Sequence, residues 1–262
     1  MKIKFSKYQG TGNDFIMIDN RNHDFPLNNH KLIETLCNRR FGIGADGLIL
    51  LDQNDKSELR MTYFNADGKT SSMCGNGGRC FAAFARQLNH KDNSIYFEAI
   101  DGEHKSEFTL ANPLTVKLKM LDVKFVEQQS DYVFLDTGSP HYVKFVSDVM
   151  HLDVVKEGRS IRYSDQYKEG GTNVNFVQSE PDRLIVRTYE RGVEDETYSC
   201  GTGVTASVLA AVVAGKWNGE NKVLVQTLGG ELAVHFTRVG NGFENVWLEG
   251  PATYVFSGEF EI

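Results

Sequence analysis

Cysteine is scarce in this chain: only Cys37, Cys74, Cys80 and Cys200 occur in 262 residues, too few for a disulfide framework. A reducing cytoplasm would keep them as thiols, so each is expected either to pack or to react. Long apolar runs are missing too, and no stretch reaches the roughly 18 residues that a membrane-spanning helix needs. The start, Met1-Lys2-Ile3-Lys4-Phe5-Ser6-Lys7, lacks the apolar core of a signal peptide, and a soluble, cytoplasmic protein is expected. There is no excess of basic charge. Lys and Arg number 28 against 35 Asp and Glu, a net of −7, which gives no electrostatic case for nucleic acid or a membrane surface as partner. A small-molecule ligand fits better. The length allows one large domain or two smaller ones, and two are favoured.

What is present is a diverged internal repeat, the feature to look for before any other. Displacing the sequence by 126 residues, the separation of Cys74 and Cys200, pairs Thr11-Gly12 with Thr137-Gly138, Gly44 with Gly170, and Thr62-Tyr63 with Thr188-Tyr189. It also pairs Cys74-Gly75 with Cys200-Gly201 and Gly77 with Gly203. With two further residues of offset the register runs on through Asn93/Asn221, Gly102/Gly230, Glu103/Glu231 and Phe108/Phe236. Chance enrichment of Gly and Thr is the bland alternative, but a residue as rare as Cys anchors the register. Duplication is preferred, with an N-terminal half over 1–125 and a C-terminal half over 126–262. The polar run Glu127-Gln128-Gln129-Ser130-Asp131 is the best linker candidate, and the last strand-like stretch, Thr253 to Phe256, is free to pack on either half.

Local signals are mixed α/β. Tyr132-Val133-Phe134-Leu135, Leu184-Ile185-Val186-Arg187 and Lys222-Val223-Leu224-Val225 carry the β-branched and aromatic residues of strands. Asp101-Gly102 and Gly229-Gly230 predict a hairpin at equivalent places in the two halves. Val204 to Ala214 is almost wholly apolar and stops at Gly215-Lys216, which reads as a helix enclosed on every side. Its counterpart begins at Arg79-Cys80-Phe81-Ala82, so Cys74 and Cys200 each stand at the entrance of a buried helix.

That placement has chemical consequences. A helix start offers backbone N–H groups without an i−4 carbonyl and a partial positive charge. A cysteine there is more readily a thiolate, its pKa moving from about 8.5 towards the ~3.5–7.5 range. The glycines of Cys74-Gly75-Asn76-Gly77-Gly78 and Cys200-Gly201-Thr202-Gly203 let a carboxylate approach the same N–H groups. If the halves pack about a pseudo-two-fold axis, one thiolate can take a proton from an α-carbon while the opposing thiol returns one on the other face. The α-hydrogen is a very weak acid, and with no sign of a lysine-bound pyridoxal phosphate the developing charge falls to the helix termini. Blander readings apply elsewhere. Cys37 and Cys80 are expected to be small buried hydrophobes. Cys-Gly-Asn-Gly lacks the P-loop lysine, Gly10-Thr11-Gly12 is too short for a dinucleotide fingerprint, and the cysteine spacing suits no zinc site.

Gly10-Thr11-Gly12-Asn13-Asp14-Phe15, Phe64-Asn65-Ala66-Asp67-Gly68, Met73 to Cys80, Tyr189-Glu190-Arg191-Gly192 and Cys200-Gly201-Thr202-Gly203 together resemble the signatures of the diaminopimelate epimerases, in order, over essentially the whole chain. The resemblance implies two similar α/β (α+β) domains, each a mixed β-structure wrapped around a central helix, with the site between them. It implies cofactor-independent epimerisation of LL- to meso-diaminopimelate, serving lysine and peptidoglycan synthesis, without metal. By the same resemblance Cys74 and Cys200 are the acid/base pair, and His141 and Glu190 are auxiliaries to them. Gly75, Asn76, Gly201 and Thr202 hold the reacting carboxylate, and Asn13, Asn65, Asn173, Glu190 and Arg191 contact the rest of the substrate. Arg191 is the natural partner for a distal carboxylate, which a guanidinium grips in bidentate fashion. The expected partners are a small-molecule amino acid and, at most, a second copy of the chain as a homodimer. The alternatives are a related racemase acting on a histidine- or proline-type substrate and a non-catalytic amino-acid-binding protein. The chain departs from the family pattern at Ser139, where many members carry Asn, at Gly47, where some carry Gln, and in Val193 to Thr197, which is one residue longer.

Overall fold

The computed structural model describes residues 2–54, 58–71, 73–109 and 115–261. Two compact units emerge, Met1–Leu118 with Pro251–Ile262, and Lys119–Gly250.

In the first unit β1 (Lys2–Gly10) turns into β2 (Asn13–Asp19) through Thr11 and Gly12, whose φ values of 49° and 88° make the left-handed turn that suits a twisted hairpin. Helix α1 (His30–Cys37) carries the chain to β3 (Gly47–Gln53), parallel to β2. Its apolar positions Leu32, Ile33, Leu36 and Cys37 repeat at helical spacing and are all buried, and Asn29 caps it by accepting from the Leu32 N–H. β4 (Leu59–Asn65) returns antiparallel to β3. Helix α2 (Gly75–Gln87) then crosses to β5 (Ser94–Ala99), parallel to β4, and β6 (Gly102–Thr109) and β7 (Thr115–Lys119) follow antiparallel. The strand Thr253–Glu261 pairs antiparallel with β1. Residues 75–85 of α2 are buried against β1, β2 and β3. The small residues at its start allow this. A Cβ on Gly78 would lie 2.9 Å from both Leu118 and Met73, so a larger residue there would have to push those side chains aside.

The second unit repeats the plan. A short β8 (Glu127–Gln128) flanks β9 (Val133–Asp136), which runs antiparallel to β10 (Pro140–Phe145). Helix α3 (Val154–Arg162) leads to β11 (Asn173–Ser179), parallel to β10, and β12 (Arg183–Glu190) is antiparallel to β11. After β13 (Asp195–Thr197), helix α4 (Gly201–Val213) crosses to β14 (Lys222–Thr227), parallel to β12. β15 (Gly230–Val239) and β16 (Gly242–Pro251) are antiparallel, and Thr253–Glu261 is β17. Helix α4 packs on β9, β10, β11, β12, β14 and β15. Val204, Val208 and Leu209 are wholly buried, each worth roughly 1.5–3 kcal/mol of transfer free energy.

The senses of successive pairings in β1 to β7 recur in β9, β10, β11, β12, β14, β15 and β16: antiparallel, parallel, antiparallel, parallel, antiparallel, antiparallel. Every parallel step is a helical crossover, as parallel neighbours require. The expected duplication is therefore present in the topology. Both expected hairpins form, with Ala99 opposite Gly102 and Thr227 opposite Gly230. The two buried helices start earlier than their apolar runs, at Gly75 and Gly201. Among the described residues no helix is long and apolar enough to cross a membrane.

Candidate active site

Cys74 is the N-cap of α2, in extended conformation, and its Sγ accepts the Gly77 N–H at 3.1 Å. The residues around it are held by a chain of charged groups. Asn13, at the start of β2, donates from Nδ2 to Asp46 Oδ2 at 2.6 Å. A carboxylate only accepts, so the amide is oriented, and Oδ1 faces Cys74 Sγ at 3.8 Å and Asn76 Nδ2 at 3.5 Å. Asp46 is gripped by Arg39 Nη2 at 2.7 Å, and the same guanidinium takes both oxygens of Asp14, at 3.0 and 2.7 Å. Lys7 Nζ adds a third cationic contact to Asp14 at 2.7 Å and also donates to the Gly44 carbonyl. Burial alone would raise the Asp14 pKa, but the bonds from Arg39 and Lys7 outweigh it and hold the carboxyl at about 2.

Asn76 is oriented from the other side. Its Oδ1 accepts from Arg79 Nη2 at 2.9 Å, and Arg79, wholly buried, also donates to Gly75 O, Thr11 Oγ1 and Pro251 O. Burial pushes the Arg79 pKa down to about 10, which still leaves it charged at neutral pH. Asn65 closes β4 and is exposed, in a turn that Gly68 completes at φ 81°. Gly47 cannot carry a larger side chain in this setting: a Cβ would stand 2.5 Å from the Tyr63 ring and 2.6 Å from the Phe64 carbonyl. Cys37 and Cys80 are buried, which pushes both thiols up to about 12, so they stay protonated and serve as packing.

Cys200 is the N-cap of α4 but makes no side-chain cap bond. Its Sγ lies 3.5 Å from Thr202 Oγ1, which lies 3.4 Å from Ser139 Oγ. Ser139 in turn is 3.2 Å from Nε2 of His141, a side chain with no exposed surface on β10. The Nδ1 of His141 meets Asn175 Nδ2 at 3.1 Å. Burial, with help from the charge of Arg191, pushes the His141 pKa down to about 3. Asn173, on the same face of β11 as Asn175, accepts the Arg191 backbone N–H at 2.9 Å and donates to Ser139 Oγ at 3.3 Å. Arg191 follows β12 and is exposed, its guanidinium donating to the Gly170 carbonyl and forming no ion pair among the described residues. Glu190 accepts the Thr197 hydroxyl at 2.8 Å. The turn after Arg191 is tied by Glu194, at φ 59°, to the Gly192 N–H, Arg162, Tyr163 and Tyr189.

The structure thus gathers Asn13, Gly75 and Asn76 about Cys74, and His141, Asn173, Arg191, Gly201 and Thr202 about Cys200, within their own units. Reading the sequence missed Arg39, Asp46, Arg79, Asn175 and Thr188. Asn175 did leave a trace, since Asn173 and Asn175 are two apart in an apolar strand and must share a face.

The family model described as diaminopimelate epimerase matches residues 5–126 and 133–255, one match over each copy of the repeat. The chain belongs to the diaminopimelate epimerase family. The diaminopimelate epimerase of Flavobacterium psychrophilum is 51% identical over 255 residues, spanning 97% of this chain and 98% of that protein. The one from Chlorobaculum tepidum is 42% identical over 256 residues, covering 95% and 98%. Solved structures share the fold at much lower identity. A Bacillus anthracis phenazine biosynthesis protein of the PhzF family aligns over 100% of both chains with a TM-score of 0.79 at 15% identity. A hydroxyproline epimerase from Agrobacterium vitis, bound to trans-4-hydroxy-L-proline, aligns over 98% of this chain and 92% of its own with a TM-score of 0.69 at 14% identity. Membership of the family makes the protein an isomerase of two repeated α+β domains.

Proposed function

We propose that this protein interconverts LL- and meso-diaminopimelate by two-thiol proton transfer, with Cys74 and Cys200 as the acid/base pair. The observation that carries the reading is the pair of cysteines at equivalent N-caps of duplicated helices, in a chain of this family. A thiolate removes the α-proton, the other thiol delivers one to the opposite face, and each sulfur changes protonation state once per turnover. Both ends of the substrate have support. Backbone N–H groups of Gly75, Asn76, Gly201 and Thr202 take the reacting carboxylate and stabilise the charge that develops on it. Arg191, without a carboxylate partner of its own, takes the distal carboxylate, while Asn13, Asn65 and Asn173 offer amides to the polar heads. Glu190 and His141 assist the thiols, His141 as a neutral imidazole. The scheme asks for no metal or cofactor, and its setting is the cytoplasm.

The test is α-hydrogen exchange in heavy water with a panel of amino acids. Deuterium should enter one α-carbon of diaminopimelate, and Cys74→Ser and Cys200→Ser should each abolish or severely reduce epimerisation while circular dichroism stays unchanged. Exchange into proline or histidine but not diaminopimelate would overturn the substrate, and a single-cysteine variant with near wild-type turnover in both directions would overturn the two-base scheme.

A further inference from the structure

Between His141 and Cys200 stand two hydroxyls whose hydrogen-bond direction is set by groups that cannot change roles. Asn175 Nδ2 lies 3.2 Å from the Tyr142 carbonyl, which only accepts, and Asn175 Oδ1 receives the Thr188 hydroxyl at 3.0 Å. The amide is oriented by both bonds, so it is the donor towards His141 Nδ1 at 3.1 Å. Nδ1 therefore carries no proton, and the single N–H of a neutral imidazole sits on Nε2, facing Ser139 Oγ. The low pKa of this buried ring agrees with its being neutral. Asn173 is oriented in the same manner, accepting the Arg191 N–H on Oδ1 and donating from Nδ2 to the Pro140 carbonyl at 3.2 Å. It too donates to Ser139 Oγ. Ser139 thus accepts twice, and its one proton is directed to Thr202 Oγ1. Thr202, having accepted, directs its own proton to Cys200 Sγ.

We propose that Ser139 and Thr202 are positioning residues that form a one-way hydrogen-bond relay ending on Cys200, so that its sulfur always faces a hydroxyl donor and is stabilised as a thiolate. The inference deepens the two-thiol reading and rests on it for its catalytic meaning. Cys74 is served differently, by the Gly77 backbone N–H and by an acceptor, Asn13 Oδ1. The two sulfurs are therefore not equivalent, although their helices are. The titratable groups around the relay are His141 on β10 and Glu190 and Arg191 at the end of β12. His141 is neutral, Glu190 holds the Thr197 hydroxyl, and the Arg191 guanidinium donates to the Gly170 carbonyl.

The experiment is the pH dependence of iodoacetamide alkylation of the intact protein, read separately at Cys200 and Cys74 by peptide mass spectrometry. A donor hydroxyl on a thiolate should lower a thiol pKa by about one to two units. Thr202→Val should raise the Cys200 midpoint by that amount and leave Cys74 in place, and Thr202→Ser should restore it. Ser139→Ala should shift Cys200 in the same direction, because Thr202 loses the donor that orients it. The pH profile of diaminopimelate α-exchange in Thr202→Val should move upward with the alkylation midpoint, which a merely structural defect would not produce. An unmoved Cys200 midpoint in Thr202→Val, an equal shift at Cys74, or failure of Thr202→Ser to restore the midpoint would overturn the relay. If the midpoints move as stated but the wild-type protein exchanges no α-hydrogen of diaminopimelate, the relay stands and the proposed reaction falls.

Discussion

Replacing Asp46 by Asn should damage the site without touching any proposed substrate contact. The carboxylate takes three donors: Asn13 Nδ2 at 2.6 Å, the Asp14 N–H at 3.2 Å and Arg39 Nη2 at 2.7 Å. An amide of the same shape has one acceptor oxygen. Turned towards Asn13, it presents its NH2 to the guanidinium; turned towards Arg39, it presents NH2 to the Asn13 amide, which must rotate and withdraw Oδ1 from Cys74 and Asn76. A hydrogen bond to a charged group is worth about 1.5–3 kcal/mol. The Asp46 side chain is 42% exposed, so water recovers part of that, and about 1 kcal/mol is expected, close to a fivefold fall in kcat/KM. The assay is α-deuterium exchange with diaminopimelate below KM, beside urea unfolding to confirm a folded variant. In an Asn13→Ala background the Asp46→Asn change should cost little more, since the group it positions is gone. Unchanged kcat/KM in the folded single variant, or full additivity in the double variant, would refute the account of Asp46 as the residue that aims Asn13.

Three further outcomes concern Arg191, His141 and Gly203. Arg191→Ala should impair diaminopimelate by about 2 kcal/mol, the lower end for a charge pair because the residue is exposed, and should spare a substrate without a distal carboxylate; equal losses in kcat/KM for both would refute its role. His141 titrates at about 3 in the folded state against 6.5 for a free imidazole, so the unfolded chain binds the extra proton between those values. Stability is then present above about pH 6.5 and lost as pH falls towards 3, by up to roughly 1.4 kcal/mol per unit; urea midpoints from pH 7 to 4 should fall less steeply in His141→Gln, and parallel slopes would count against it. Gly203→Ala should cost about 1–3 kcal/mol, because a Cβ there meets buried Asn175 Oδ1 at 2.4 Å. Gly170→Ala, with nothing within 4 Å, is the control expected to stay near wild type in the same melt.

The repeat was legible because Cys74 and Cys200 fix a register that glycines and threonines alone could not. The late hairpins and the enclosed helix after Cys200 followed from turn residues and from an apolar face on every side. The early starts of α2 and α4 were hidden, because Gly75-Asn76-Gly77-Gly78 and Gly201-Thr202-Gly203 are poor helix formers whose conformation is set by packing rather than propensity. Helix α3 left little signal in the sequence, being short and burying only Val154 and Gly158; α1 has helical apolar spacing and an Asn29 cap, but over only eight residues. In the site, the cysteines at the helix entrances could be read directly. The polar residues that orient their neighbours could not, since Asp46 sits in a loop and Thr188 in a strand where isolated polar side chains carry no periodic pattern. Gly47 is a case where the sequence raised a question that packing answers: the Tyr63 ring occupies the space a longer side chain would need.

The pairing of β17 with β1 bears on how the chain acquires its structure. Lys2 stands opposite Glu261 and Gln9 opposite Thr253, so the first unit is discontinuous in sequence while the second is a single uninterrupted stretch between its parts. On the ribosome the edge of β1 has no partner from Thr253–Glu261 until the whole second unit has been made. That contact closes a loop of nearly the entire chain, the kind of pairing that forms late and slowly. The continuous second unit meets no such delay. Order of synthesis and order of completion are thereby reversed: the half that emerges first is the half that finishes last.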